Sequence, residues 1–456
     1  MGKIDLVQLR HSYAYPKEEH PEGHIYLPVS LLAAAARILQ AGGEVSSLQD
    51  ENLRPAHITS SHIGINLLGA PYIPEAQEFQ RRTSAETKEN LRFLFGGQVI
   101  SGLTEGQFCH LFGENSGNGN NDAILAEHLG IDQRALPPQE QTSLIPAYKL
   151  ISDEDMRKYL SREFSLYISQ GCNKQCSFCA ALKKRPETYR SPEIIQQDVE
   201  YLIQRALQFG IKEFDIYMSN LDVFQNPRKL NDVAEVICEL REKYSFLIRL
   251  RGLSSVDSFG EARKKSPETI EKIIRAGLHT VGFGVDGWGE DVWKHLRKFQ
   301  NTPERCIGAI RSAREDFGLT PEVLMVFGHN KKDNAESLEA AYAITNEMVE
   351  KYYAIPRPHV SKIFVPGNDD WGDPYYENAV RQLLTFPKTF QSLDFTALPS
   401  ALTHPDPVLR ELTTQYYLKI CSIAGNVTQF VHPLLPGMTD EQIKGIQRFN
   451  MGKYDI

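Results

Sequence analysis

The sequence has few of the features that mark secreted or membrane-bound proteins. Its 456 residues include only seven cysteines, an odd number, and three of them crowd together, unlike a disulfide framework. The longest apolar run, residues 31–36, is far too short to cross a bilayer. The N-terminus lacks the basic start and apolar core of a signal peptide. We therefore expect a cytoplasmic protein without a membrane partner.

Positive charge is also scarce. The formal net charge is −8, whereas nucleic-acid binding needs a clustered basic surface. The one basic run near the cysteines, residues 183–185, is short enough to be a solvated loop. Hydrophobic residues make up 41% and charged residues 24%, as in folded globular proteins. The length suits two or three domains, and we expect no nucleic-acid partner.

The first part of the chain alternates apolar and amphipathic stretches. This pattern predicts βαβ units and a parallel sheet, and hence a Rossmann-like domain over residues 1–136. Pro137 and Pro138, followed by polar residues, predict a linker over residues 137–160. The predicted strands are residues 4–9, 44–48, 62–68 and 91–95, and the predicted helices are residues 28–40 and 75–89.

A second, more regular alternation follows from residue 164. Six strands with five intervening helices predict an α/β fold of the partial (β/α)6 barrel type over residues 161–374, with the chemistry at the carboxyl ends of the strands. Residues 375–456 are predicted to be mostly helical. The predicted strands are residues 164–169, 212–218, 246–250, 280–285, 323–327 and 360–365, and the helices are residues 192–208, 229–243, 267–276, 303–317 and 334–351.

Three cysteines follow the first strand of this second alternation. Cys172, Cys176 and Cys179 form a C-x3-C-x2-C motif on a loop at the mouth of the predicted barrel. A cubane iron–sulfur cluster usually has four thiolate ligands, so three would leave one iron open to a small molecule. A structural zinc site needs four closed ligands, and no histidine lies between His128 and His279 to serve as the fourth. Both this zinc site and a chance group of core thiols fit the motif less well than a cluster.

The cysteine spacing, the aromatic residue before the last cysteine and the six-strand order resemble the radical S-adenosylmethionine (SAM) superfamily over residues 164–372. This resemblance implies a [4Fe–4S] cluster bound by the three cysteines, with SAM on the open iron. It also implies SAM contacts from strand ends, including Arg249 and Arg251 at the end of the third strand. The turn 366–368 resembles the family's proline-glycine turn. The remaining implied SAM contacts are Phe178, Asn220, Asp222 and Asp286.

The first domain resembles the cobalamin-binding domain of B12-dependent radical SAM enzymes. The match covers residues 26–28, 42–45, 95–97 and 113–115, the last of which are expected on a fifth strand, with glycines that would let a corrin approach the backbone. No Asp-x-His-x-x-Gly motif exists, so no histidine ligand to cobalt is expected, and His62 is interpreted as a core residue. Residues 117–121 are interpreted as a flexible surface loop. The implied cobalamin contacts are Ala70, Pro71, Tyr72, Gly96, Gly97 and Glu114.

Other subfamilies carry a second iron–sulfur cluster, which this chain lacks the cysteines to bind. Cys109 is the sole cysteine before Cys172, whereas methylthiotransferases need three in the N-terminal domain. The later residues Cys238, Cys306 and Cys421 are isolated and are interpreted as core residues.

The resemblance implies a methyltransferase acting on an unactivated carbon or a phosphinate phosphorus. Cobalamin would accept a methyl group from one SAM, while a second SAM would supply the radical that removes a substrate hydrogen. Two alternatives remain open, a B12-associated rearrangement or oxidation without methyl transfer, and a non-catalytic cobalamin or iron–sulfur sensor. The implied partners are a small-molecule or peptide substrate and an electron donor such as flavodoxin or ferredoxin.

Overall fold

Two parallel sheets, one after the other along the chain, organise the molecule. We describe them from a computed structural model. It describes residues 2–9, 27–50, 58–67, 72–87, 90–179, 186–329, 332–360, 369–374, 377–385 and 406–424.

The first sheet has five strands in the order β2-β1-β3-β4-β5, all parallel. This doubly wound arrangement confirms the Rossmann-like fold predicted for the N-terminal part. Asp5 is fully buried in β1, where it accepts hydrogen bonds from Ser47 Oγ and the main-chain N–H groups of Thr59 and Ser60. The strands are β1 Lys3–Gln8, β2 Glu44–Asp50, β3 His62–Asn66, β4 Arg92–Gly96 and β5 Gly117–Asn118. The helices are α1 Val29–Gln40, α2 Tyr72–Glu86, α3 Gln98–Ser101, α4 Glu105–Phe112 and α5 Asp122–Leu129.

Two N-terminal expectations are wrong. The predicted surface loop 117–121 contains β5, because Gly117 and Asn118 pair with β4. Glu114 does not lie on the fifth strand but in an exposed turn after α4, because α4 ends at Phe112 and the chain must turn before it rejoins the sheet.

The segment 137–160 is packed and partly helical. It holds α6 Ile145–Tyr148 and α7 Asp153–Leu160. Arg190 is fully buried and donates to the main-chain oxygens of Thr142 and Tyr167 and to Asp198. The Asp198 carboxylate in turn accepts from Leu144 N. This ion pair fastens the segment to the second sheet.

The second sheet has six parallel strands in the order β13-β12-β11-β10-β9-β6, which confirms the partial barrel. Prolines begin helices α8, α9 and α13, where the missing N–H costs nothing, and side chains of Ser191, Asn226 and Thr302 cap them. The strands are β6 Phe164–Leu166, β7 Ser169–Gln170, β8 Thr188–Tyr189, β9 Glu213–Met218, β10 Leu247–Ser254, β11 Leu278–Gly284, β12 Thr320–Phe327 and β13 Ile355–Val360, of which β7 and β8 form a separate hairpin. The helices are α8 Pro192–Gln208, α9 Pro227–Tyr244, α10 Val256–Lys265, α11 Pro267–Arg275, α12 Glu290–His295, α13 Pro303–Glu315 and α14 Ala335–Tyr352.

The described part of the C-terminal region is helical, as predicted. Helix α15 Glu377–Thr385 contacts α4 of the first sheet, whereas α16 Pro407–Ala424 packs on α14 and β13. Strand β13 shares only Val360 with the predicted last strand, residues 360–365, and the rest of that predicted strand lies outside the described part. Among the described helices, none is both long and apolar enough to span a membrane.

Candidate active site at the carboxyl end of the barrel

The three cysteines lie on a loop that we call the cysteine loop, residues 171–179. It follows β7 and lies across the carboxyl ends of the barrel strands. Its Asn173 N–H donates to Gln225 Oε1 after β9 at 2.8 Å, and Lys174 pairs with Asp257 after β10 at 2.9 Å. Ser177 N donates to the Leu296 carbonyl at 3.2 Å. The loop is therefore tied to several successive strand ends.

The thiols of the loop are half-buried and electrostatically coupled. Burial raises the pKa of Cys172, and it raises the pKa of Cys176 to about 11, with Lys298 acting in the opposite direction on Cys176. Each of these two thiols is also influenced by Cys179. Such desolvated thiols are protonated on their own, and binding to a metal deprotonates them.

In the described part of the chain, no group of three or more His, Cys, Asp or Glu side chains is close enough to hold a metal ion. This absence bears only on sites for a single metal ion, whose ligands lie close together. In tetrahedral zinc sites with Zn–S bonds of about 2.3 Å, for example, the sulfurs lie about 4 Å apart. In an iron–sulfur cluster each thiolate binds a different iron, so the sulfurs stand farther apart.

A buried ion pair adjoins the cysteine loop. Lys298 pairs with Asp286 just after β11, and its Nζ donates to the Gly284 carbonyl at 2.6 Å. Burial alone would lower the pKa of Lys298, but Asp286 and the Cys176 thiol outweigh it and raise the pKa. A Cβ on Gly284 would stand 2.9 Å from Lys298 Nζ, so a larger residue there would displace this ion pair. Asp286 itself adopts φ of 51°, a rare conformation for a residue with a side chain.

An aromatic pair occupies the same mouth. The ring centroids of Phe178 and His329 are 6.2 Å apart, and His329 directly follows β12. The His329 ring contacts the Asp286 carbonyl at 3.1 Å, while the main-chain N–H of His329 donates to Asp333 Oδ2 at 2.6 Å. Burial lowers the pKa of His329 to about 3, so this imidazole is neutral. The predicted contacts Phe178 and Asp286 are thus brought together, with His329 between them.

Asn220 and Asp222 follow β9 and are both buried, but they differ in hydrogen bonding. Both polar atoms of the Asn220 side chain are buried without a partner of good geometry, although the Tyr189 hydroxyl lies nearby. Asp222 accepts from Ser254 Oγ at 3.1 Å and Ser258 Oγ at 2.7 Å. Burial raises the pKa of Asp222. Asn220 is therefore the one with hydrogen-bonding capacity left for a ligand.

The expectation that Arg249 and Arg251 end the third strand is wrong. Strand β10 continues to Ser254, because the alternation of buried and half-buried residues continues through both arginines. Arg249 pairs with Asp215 and Glu213 on β9. Arg251 donates from Nε and Nη2 to both carboxylate oxygens of Glu322 on β12, each at 3.0 Å. Acids on other strands of the barrel therefore engage both guanidinium groups.

Part of the predicted cobalamin site can be located. Gly97 follows β4 with φ of 105°, and a Cβ there would lie 2.3 Å from the Leu67 carbonyl. Its N–H donates to Asn120 Oδ1 at 2.9 Å, and its carbonyl accepts from Asn120 Nδ2 at 2.7 Å. Tyr72 begins α2 and is 3% exposed, so it belongs to the core. Residues 69–71, including Ala70 and Pro71, and the turn 366–368 lie outside the described residues.

Sequence reasoning missed Lys298, His329 and Asn120. His329 stands one residue past Gly328 at the end of a predicted strand, so the rule that ligands meet strand ends could have found it. Lys298 is twelve positions after its partner Asp286, and no local pattern indicates that pairing. Asn120 lies in the segment interpreted as a flexible loop.

Comparison with protein families gives a match in the barrel part of the molecule. Residues 166–341 match the model described as the radical SAM superfamily. A 208-residue region is 25% identical to tRNA-2-methylthio-N(6)-dimethylallyladenosine synthase of Sulfurimonas denitrificans, covering 42% of this chain and 44% of the relative. The same-named protein of Yersinia pestis is 21% identical over 213 residues, covering 44% and 42%. The matches span less than half the length of these relatives. Because the names of the relatives refer to tRNA, the expectation that this chain has no nucleic-acid partner is not supported.

Solved structures resemble a larger part of the chain. The radical SAM methyltransferase TsrM from Kitasatospora setae, with tryptophan substrate and a SAM analog bound, has a TM-score of 0.59 at 15% identity, covering 91% of this chain and 83% of that one. The cobalamin-dependent radical enzyme OxsB, with aqua-cobalamin bound, has a TM-score of 0.56 at 17% identity, covering 86% and 56%. At such low identity the likeness shows the fold, and it confirms the predicted fold class.

Proposed function

Residues 166–341 form a radical SAM domain, and from this premise we propose that the chain is a cobalamin-dependent radical SAM methyltransferase acting on an unactivated carbon or a phosphinate phosphorus. The observation that carries the proposal is a three-cysteine loop across the mouth of a six-stranded parallel barrel, preceded by a doubly wound five-stranded sheet. Both parts are shared in fold with TsrM, whose described structure has cobalamin and a [4Fe–4S] cluster bound.

The cysteine loop fits an iron–sulfur cluster. Cys172, Cys176 and Cys179 present three coupled thiols on a loop whose backbone is held by Gln225 and Leu296. A [4Fe–4S] cluster would supply the single electron that cleaves a carbon–sulfur bond of SAM. The three thiols would hold it, with one iron left for SAM, and the surrounding strand ends would exclude water.

The residues around the loop fit SAM. The partnerless Asn220 amide can both donate and accept, which suits the amino and carboxylate groups of an amino acid. Lys298 places a buried positive charge beside Cys176, which suits a carboxylate. Phe178 and the neutral His329 ring offer flat surfaces for an adenine. Asp286 holds Lys298 through their ion pair, whereas Asp222 is itself held by Ser254 and Ser258.

The first sheet fits a large flat cofactor at the carboxyl ends of its strands. Gly96 and Gly97 leave the end of β4 without a side chain, and Asn120 locks the main chain of Gly97. Backbone exposed in this way can approach a ligand closely. Cobalamin would supply a carrier for the methyl group, with its tail near Gly96 and Gly97 and its lower face near residues 69–72. Glu114 precedes β5 at the amino edge of the sheet, opposite to these glycines, so it is not placed with the tail.

Two kinds of substrate have support. A small-molecule or peptide substrate is favoured by the net charge of −8 and by the tryptophan substrate named for TsrM. The tRNA-modifying relatives favour a nucleic acid, but Cys109 is the only cysteine before Cys172, so the N-terminal cluster that methylthiotransferases need has too few ligands. We therefore place methyl transfer ahead of methylthio transfer.

The test uses anaerobically reconstituted protein with hydroxocobalamin, a chemical reductant and SAM carrying a deuterated methyl group. Mass spectrometry should detect 5′-deoxyadenosine and S-adenosylhomocysteine, because methyl transfer consumes SAM in two ways. Only 5′-deoxyadenosine would point to rearrangement or oxidation instead. Bound cofactors with neither product would point to a sensor.

A further inference from the structure

A short turn, residues 369–371, touches the cysteine loop; we call it the strap. The Asp369 N–H donates to the Ser177 carbonyl at 3.0 Å, between Cys176 and Cys179. The Asp369 carboxylate pairs with Arg297 at 2.7 Å. Because Ser177 N also donates to the carbonyl of Leu296, the strap and the segment 296–297 hold Ser177 from both sides.

The other end of the strap is embedded in the N-terminal domain. Trp371 is 9% exposed and belongs to the hydrophobic core that contains Phe95, Phe108 and Phe112. Its Nε1 donates to Gln107 Oε1 at 3.4 Å. Gln107 is the residue whose side chain caps α4 by accepting from Thr104 N at 3.1 Å. The strap therefore reaches the first turn of α4.

Helix α15 continues the same contact. His110 on α4 contacts the Leu384 carbonyl at 3.2 Å, and Val380 is buried in the same core as Trp371. Residues of the strap and of α15 thus pack against the N-terminal domain on the side that faces the cysteine loop.

The distance between the two anchors of the strap is short. Asp369 and Trp371 are two residues apart, so their Cα atoms are at most about 7 Å apart. Arg297 adopts φ of 57°, which is unfavourable for a non-glycine residue and persists only where the surroundings hold it. The ion pair with Asp369 is one of the contacts that hold it.

From these contacts we infer that the strap couples the cysteine loop to α4, so that ordering of one orders the other. Asp369 and Trp371 are then positioning residues that fix where the cluster lies relative to the N-terminal domain. The inference rests on the proposed function, because a reaction that needs two cofactors requires a fixed distance between their sites. A loop tied only to its own barrel would not give such a fixed distance.

Hydrogen exchange of the full chain with and without the reconstituted cluster tests this inference. In the wild type, cluster assembly should slow exchange in the cysteine loop and also in the α4 peptide, residues 104–112. Asp369→Ala and Trp371→Ala should keep the first effect and lose the second. Since the strap contributes hydrogen bonds and a buried ring, the difference at α4 should be about tenfold or more.

Phe112→Leu is the matched control, since it loosens the same core on α4 without replacing a residue of the strap. It should speed exchange throughout α4 but keep the difference between apoprotein and cluster-loaded protein. A merely structural strap would move absolute rates and leave that difference unchanged. The inference is overturned if α4 does not respond to the cluster in the wild type, or still responds in both strap variants.

Failure of the proposed function gives a different result. If no cluster assembles in the wild type, the proposed function has failed, whatever the strap does. The strap is then tested in apoprotein, where Trp371→Ala must speed exchange in the cysteine loop as well as in α4. An unchanged cysteine loop would overturn the coupling.

Discussion

Replacing Arg251 by methionine should destabilise the barrel without weakening SAM binding. Arg251 donates to Glu322 twice at 3.0 Å and to Glu163 at 3.2 Å, and Glu322 is only 1% exposed. Removing one partner of a buried ion pair costs about 3–5 kcal/mol, because the other charge is left without full compensation. At a urea m-value of about 3 kcal/mol per molar, the unfolding midpoint should fall by about 1–1.7 M.

Arg249→Met is the matched control for this prediction. Arg249 also pairs with two acids, but its side chain is 37% exposed, so its loss should cost at most about 1 kcal/mol. Urea unfolding followed by circular dichroism measures both variants, and equilibrium dialysis measures SAM affinity of the cluster-loaded forms. An Arg251→Met protein as stable as the wild type but unable to bind SAM would refute the reasoning and restore Arg251 as a SAM contact.

Three further predictions concern charge and cofactors. Lys298→Met should weaken SAM binding by about tenfold or more, as expected for one charge-assisted hydrogen bond, whereas Lys298→Arg should retain most of the SAM affinity. Equal SAM affinities of wild type and Lys298→Met would contradict a role of Lys298 in SAM binding. Burial would raise the pKa of Glu322, but Arg357 and Arg251 hold the pKa below its usual 4.5. The stabilising contribution of Glu322 should therefore be present above pH 4.5 and be lost as pH falls through the lowered pKa. The difference in unfolding free energy between wild type and Glu322→Gln should then shrink in acid. A difference that widens in acid would refute the stabilising role of the Glu322 carboxylate. Purified protein incubated with hydroxocobalamin and desalted should retain cobalt and a corrin absorption band. Its reduced form should show no nitrogen splitting from histidine in electron paramagnetic resonance. Loss of all cobalt would contradict cobalamin binding by the first sheet.

Periodicity predicted most of the fold. The barrel strands and helices alternate at regular spacing, and Pro192 and Pro303 begin helices where sequence rules place them. The errors fall where side-chain partners come from distant parts of the chain. The two arginines of β10 resemble a strand end in sequence, yet Asp215 and Glu322 on other strands neutralise them within the sheet.

The candidate site could be predicted less completely. The cysteine motif is local and was found from spacing alone. The ion pair of Asp286 with Lys298 joins residues separated by helix α12, and the contact of Asp369 with Ser177 joins residues almost two hundred positions apart. Such pairings depend on how the loops cross the mouth of the barrel, and no local periodicity encodes them.

Iron and sulfide analysis of anaerobically reconstituted protein shows whether Cys172, Cys176 and Cys179 hold a [4Fe–4S] cluster. We expect about four irons and four sulfides per chain, a full loss when all three cysteines are changed to alanine, and unchanged content in the control Cys238→Ser. Iron and sulfide that survive the triple change would contradict the account.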